Sequence, residues 1–166
     1  MWESVFFWIF SVVAVALGVL VITFRNPVHS AMALIGNLFC VAALFALLDA
    51  HFLAAIQVLV YAGAIMVLFM FVIMLLNLKP DELGPARQNA AKITGGVLLG
   101  WIAIRLIMGF TGSGMEGAPE IDQSFGTLES TGRLIFNQYL LPFEVASVLL
   151  LAAILGAVSI AKKKLW

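Results

Sequence analysis

Four side chains carry chemistry that their surroundings make expensive. Gln57, Tyr61, Arg105 and Glu144 all fall inside long apolar runs. A polar or ionisable group in hydrocarbon needs a reason, either a partner or a route for protons or ions. Beside Tyr61 lie three small residues, Ala62, Gly63 and Ala64. They let a neighbouring backbone approach closely, and they remove the bulk that keeps a helix regular. Such a site can host a kink or a π-bulge, a feature often tied to function.

The elements that must hold these residues are membrane helices. Apolar types make up 63% of the chain and charged types only 11%. Soluble domains carry about a quarter charged residues, so the polar surface needed in water is missing. A helix needs roughly 20 apolar residues to cross the hydrocarbon layer. Five such spans are expected, over about 5–24, 30–48, 52–76, 93–110 and 140–160, with a loop over 111–136. The expectation is an all-α, polytopic membrane protein forming a single membrane domain over 1–166. Continuous apolar runs exclude a membrane β-barrel, whose strands alternate. The apolar stretch after Met1 lacks a basic leader and reads as a retained first span. Pro27 ends that span, and Pro80 and Pro85 mark the polar segment before span four.

The basic residues set the orientation. Arg25, Lys79, Arg87, Lys92 and Lys162 to Lys164 fall on one side, and Arg133 stands on the other with Glu116, Glu120, Asp122 and Glu129. The positive-inside rule puts the N-terminus outside and the C-terminus in the cytoplasm. Gln57, Arg105 and Glu144 then lie four or five residues inside the outer ends of their spans. At 1.5 Å per residue they share a layer roughly 6–8 Å deep. An Arg105–Glu144 pair, with Gln57 as a hydrogen-bond partner, is one reading of that layer. The plainer readings are a snorkelling Arg105, an interhelical Gln57, and a Glu144 that favours its own helix start, where Pro142 also fits. A role for Glu144 in proton movement is the sharper alternative.

Other features are weaker. Gly96 and Gly100 form a close-packing pair, and Met66, Met70 and Met74 form a packing stripe. His29 and His51 lie at span ends without metal-ligand partners, and Cys40 is the single cysteine. There is no phosphate loop or dinucleotide fingerprint, and no cysteine set for an iron–sulfur cluster. Nine basic residues balance nine acidic ones, so nothing suggests nucleic acid. No catalytic, cofactor or metal residue is assigned. Any activity is transport or a share in a partner's activity.

The stretch from Gln57 through Tyr61, Ala62, Gly63 and Ala64 to Phe69, continuing over Met74-Leu75-Leu76-Asn77-Leu78, resembles the signature of subunit J of the proton-pumping NADH:quinone oxidoreductase, respiratory complex I. Its mitochondrial counterpart is NADH dehydrogenase subunit 6. Asn26-Pro27-Val28-His29-Ser30-Ala31 is similar to the family's motif after its first helix, and Glu144-Val145-Ala146-Ser147 onward to its last helix. The resemblance implies five helices with the N-terminus outside, in the cell inner membrane. It implies a subunit that binds no NADH and holds no cofactor, within a complex that uses FMN, iron–sulfur clusters, NADH and a quinone such as ubiquinone. It implies subunits A, K and H as partners. It also implies a π-bulge around Tyr61 and Gly63 that changes to regular α-helix as the complex changes state. Some relatives carry a glutamate where this chain has Gln57, and an amide cannot titrate. The function so implied is a non-catalytic membrane-arm subunit that helps couple quinone reduction to proton translocation. The equivalent subunit of a membrane hydrogenase or of an F420H2- or ferredoxin-linked complex, and a purely structural assembly subunit, remain alternatives. A free-standing transporter would need inverted repeats, which five unequal spans do not show.

Overall fold

A computed structural model describes residues 2–76, 95, 96, 100–102, 104, 105, 108, 109 and 125–162. Among them every regular element is helical. The loop expected over 77–92, much of the span expected over 93–110, and residues 111–124 of the following loop lie outside the described residues. The described residues between 95 and 109 are helical.

Helix α1 runs Trp2–Thr23 and α2 runs Pro27–Leu47. The break between them is written locally. Asn26 is extended, its side-chain oxygen accepts from the Val28 N–H at 2.9 Å, and Pro27 opens α2. Proline is suited to the first helical position because the N–H it lacks would go unbonded there. Two polar side chains of α2 then tie the helices together. The Asn37 amide donates to the Ala14 carbonyl at 2.7 Å, and the Ser30 hydroxyl donates to the Val21 carbonyl at 2.5 Å. Gly36 lets α1 approach, since a Cβ there would sit 3.2 Å from a Leu17 methyl.

A tight turn at Leu48–Ala50 leads to the third long helix, which has three parts. These are α3 (His51–Ile56), a π-helical segment Gln57–Ile65, and α4 (Met66–Leu76). The three are continuous over 26 residues. α2 packs against this helix along its length, and Ala31, Met66 and Ile73 form the core with Val28, Leu34, Ile35, Leu38 and Met70 around it.

Within the stretch read as loop over 111–136, the structure has a helix, α5, at Leu128–Asn137. Thr127 caps it, accepting from the Ser130 N–H at 3.2 Å. α6 follows at Leu140–Ala161, and none of its residues is buried among the described residues. Among the described residues, four helical stretches are long and apolar enough to cross a membrane: Trp2–Thr23, Pro27–Leu47, His51–Leu76 and Leu140–Ala161. Their backbone hydrogen bonds are internal, as lipid demands.

Candidate functional site

The π-helical segment is the irregular feature of the membrane core. Nine residues, Gln57–Ile65, are wound with five-residue rather than four-residue hydrogen bonds, and the Met66 N–H closes the segment on the Tyr61 carbonyl. π-Helix usually appears as a single turn, so this length is unusual. Tyr61, Ala62, Gly63 and Ala64 all lie inside it.

Gly63 explains part of why it forms here. A Cβ at Gly63 would sit 3.1 Å from the Val58 carbonyl oxygen, five residues upstream. Most side-chain-bearing residues keep a wider distance, so a methyl group would have to push that carbonyl aside. The π winding tightens the contact that glycine relieves. Ala62 is buried and Tyr61 and Gly63 are exposed, so the small residues face both sides of the helix.

Winding also sets which side chains reach the bundle interior. Gln57, Ala62, Met66 and Ile73 are the buried residues of the long helix. A regular α-helix turns about 100° per residue, which would set Gln57 and Met66, nine residues apart, on opposite sides. The slower turn of the π segment brings both onto the buried face. Gln57, 9% exposed, is the polar residue on that inner face.

The other singled-out polar residues are not gathered with it. The Arg105 guanidinium lies 5.8 Å from the centre of the Trp101 ring, one turn earlier. No ion pair joins it to Glu144, which is exposed on α6. The Ser147 hydroxyl donates to the Glu144 backbone carbonyl at 2.7 Å, not to its carboxylate. Among the described residues the ion pairs are His51–Asp49 and Arg133–Glu129, both exposed. No group of three or more His, Cys, Asp or Glu residues is placed to hold a metal ion among them.

A contact that sequence reasoning missed lies at the other end of the third helix. Gly126 sits at φ +70° directly on the 49–52 turn, and its carbonyl accepts from the Phe52 N–H at 3.1 Å. A Cβ there would collide with the Asp49 backbone oxygen and fall 2.8 Å from the Ala50 Cα. Asp49 is itself in the left-handed region at φ 57°. A glycine next to a helix-capping threonine was the available signal.

Long apolar helices, a polar break at each end and an irregular segment in mid-span define a multi-pass, all-helical membrane protein. Residues 17–160 match the family model of NADH-ubiquinone/plastoquinone oxidoreductase chain 6. The chain is 34% identical over 165 residues to NADH-quinone oxidoreductase subunit J of Escherichia coli (strain K12), covering 95% of this chain and 86% of that one. It is 40% identical over 159 residues to NAD(P)H-quinone oxidoreductase chain 6 of Synechocystis sp., covering 94% and 78%. It is 39% identical over 157 residues to the chloroplastic NAD(P)H-quinone oxidoreductase subunit 6 of Staurastrum punctulatum, covering 89% and 84%. The chain belongs to the NADH-ubiquinone/plastoquinone oxidoreductase chain 6 family, which includes the bacterial subunit J.

Proposed function

We propose that this chain is a membrane-arm subunit of a proton-pumping NADH:quinone oxidoreductase, and that its third helix helps couple quinone reduction to proton translocation. The observation that carries the reading is the π-helical segment Gln57–Ile65 in mid-span. A π segment between two α segments can rewind to α-helix without breaking the chain. Rewinding would turn Gln57 away from the face that Met66 occupies and rearrange what lines the interior there. That is a discrete two-state element, the kind of device coupling requires. The chain itself supplies no complete active site in this reading. FMN, iron–sulfur clusters, NADH and the quinone belong to the parent complex. Subunits A, K and H are the proposed neighbours, in the cell inner membrane.

Five spans fit this assignment, with the N-terminus outside and the C-terminus cytoplasmic. Gly126 rests at the His51 end of the third helix, whereas Leu76 lies at its far end, roughly 35 Å away by helical rise. A crossing between them accounts for both ends, and the helical residues within 95–109 support a span there. The basic residues support the orientation.

Gly63→Val tests the coupling. The added bulk crowds the Val58 carbonyl and disfavours the π form. The complex should assemble, and NADH oxidation by an artificial acceptor should persist. Quinone-linked turnover and proton pumping in reconstituted vesicles should fall together. Normal turnover with normal pumping per electron in an assembled Gly63→Val complex would refute the switch.

A further inference from the structure

We propose that α5 is an interfacial helix that lies along the bilayer surface, with a phospholipid layer covering its apolar side. The pattern is amphipathic. Leu128 and Ile135 share one helix face, with Phe136 and Leu134 at its two edges. Glu129, Arg133 and Asn137, four residues apart, form the opposite strip. Arg133 and Glu129 pair on that strip at 2.8 Å. Leu128, Leu134 and Phe136 remain 66%, 46% and 59% exposed, so the described residues do not cover them.

The occupant follows from where the two ends of α5 are fixed. Its C-terminal end is tied to α6 by a tight turn. The N–H groups of Gln138 and Tyr139 both donate to the Leu134 carbonyl, at 2.9 and 3.1 Å. Phe136 packs edge-on to Phe143 in the first turn of α6, with ring centres 5.1 Å apart. Its N-terminal end is held by Gly126, whose carbonyl takes the Phe52 N–H at the first turn of the third helix. Both ends therefore sit at the mouths of membrane-length helices, at the depth where apolar residues begin. A helix of ten residues, about 15 Å long, pinned at one depth at both ends, runs along the membrane plane. An apolar side at that depth meets the boundary between headgroups and acyl chains. Tyr139, 56% exposed beside it, is a residue type enriched at that boundary. The acid and the base on the polar strip are matched one to one, so the association rests on apolar contact and not on anionic lipid.

Site-specific photo-crosslinking in the assembled complex tests this. A benzophenone amino acid is placed singly at Leu128, Glu129, Arg133, Leu134 or Phe136, native membranes are irradiated, and intact complex is isolated. Leu134 and Phe136 should give subunit adducts heavier by one phospholipid, and Glu129 and Arg133 should give none. Leu128 serves as a third apolar position should bulk at 134 or 136 block assembly. Adducts of the apolar positions to a second polypeptide would show a protein partner on that face and overturn the proposal. Absence of any lipid adduct at the apolar positions would also overturn it, leaving α5 in water.

Discussion

Replacing Gly126 with alanine should release the 125–127 turn from the 49–52 turn. Two costs add. Alanine at φ +70° is disfavoured by roughly 1–2 kcal/mol relative to ordinary backbone. Its Cβ would collide with the Asp49 oxygen and fall 2.8 Å from the Ala50 Cα, both backbone atoms that cannot swing aside. The contact must open, and the Phe52 N–H to Gly126 hydrogen bond, worth about 1 kcal/mol, goes with it. The sum is roughly 2–3 kcal/mol, or about 30- to 150-fold in the docking equilibrium. Hydrogen–deuterium exchange with mass spectrometry on the purified complex reads this directly. Peptides spanning the 49–52 turn and α5 should exchange tens of times faster, and those from α1 and α2 should not change. Gly132→Ala is the control, since a Cβ there meets nothing within 4 Å. Unchanged exchange in an assembled Gly126→Ala complex would refute the reasoning.

Two further expectations follow from the same structure. Arg105 lies over Trp101 and makes no ion pair with Glu144, so Glu144→Gln and Arg105→Ala should act additively on quinone-reductase activity, within about 0.3–0.5 kcal/mol in a double-mutant cycle. A larger coupling would place the two side chains together. For orientation, single cysteines at Ser4, Asn89, Ser124 and Lys164 in a Cys40→Ser background should label from outside only at positions 4 and 124. Outside labelling at Asn89 or Lys164 would invert the arrangement.

The sequence made the helical class plain because lipid leaves the backbone few choices. A run such as Trp2–Thr23 has no polar face and no internal breaker, so helix is the economical way to satisfy its N–H and C=O groups. The same uniformity hid the winding of the third helix. Around it the residues from Val58 to Leu76 are apolar on every side, so no polar stripe marks the phase. Only the Tyr61–Ala64 composition and the family resemblance pointed to an irregular site. The length of the π segment and the burial of Gln57 with Met66 depend on packing against α2, which the pattern does not encode. α5 escaped for a different reason. The glycines and acidic residues before it dominate that stretch, although Thr127 and the spacing of Leu128, Ile135 and Phe136 spell a capped amphipathic helix. The supposed meeting of Arg105 and Glu144 rested on depth alone. Equal depth does not place two residues on facing sides of their helices.

The way α6 stands apart bears on how the protein is made. α1, α2 and the third helix pack in chain order, each against the one before it, through Asn37, Ser30 and the Ala31–Met66–Ile73 core. They can associate as they leave the ribosome, before α6 is synthesised. α6 is made after them, and among the described residues nothing buries it. A newly inserted copy awaiting its neighbours therefore presents Glu144 and the whole length of α6 to lipid. α6 is thus where a cell can distinguish an orphan subunit from an assembled one, and membrane quality control has a ready target there until the neighbours arrive.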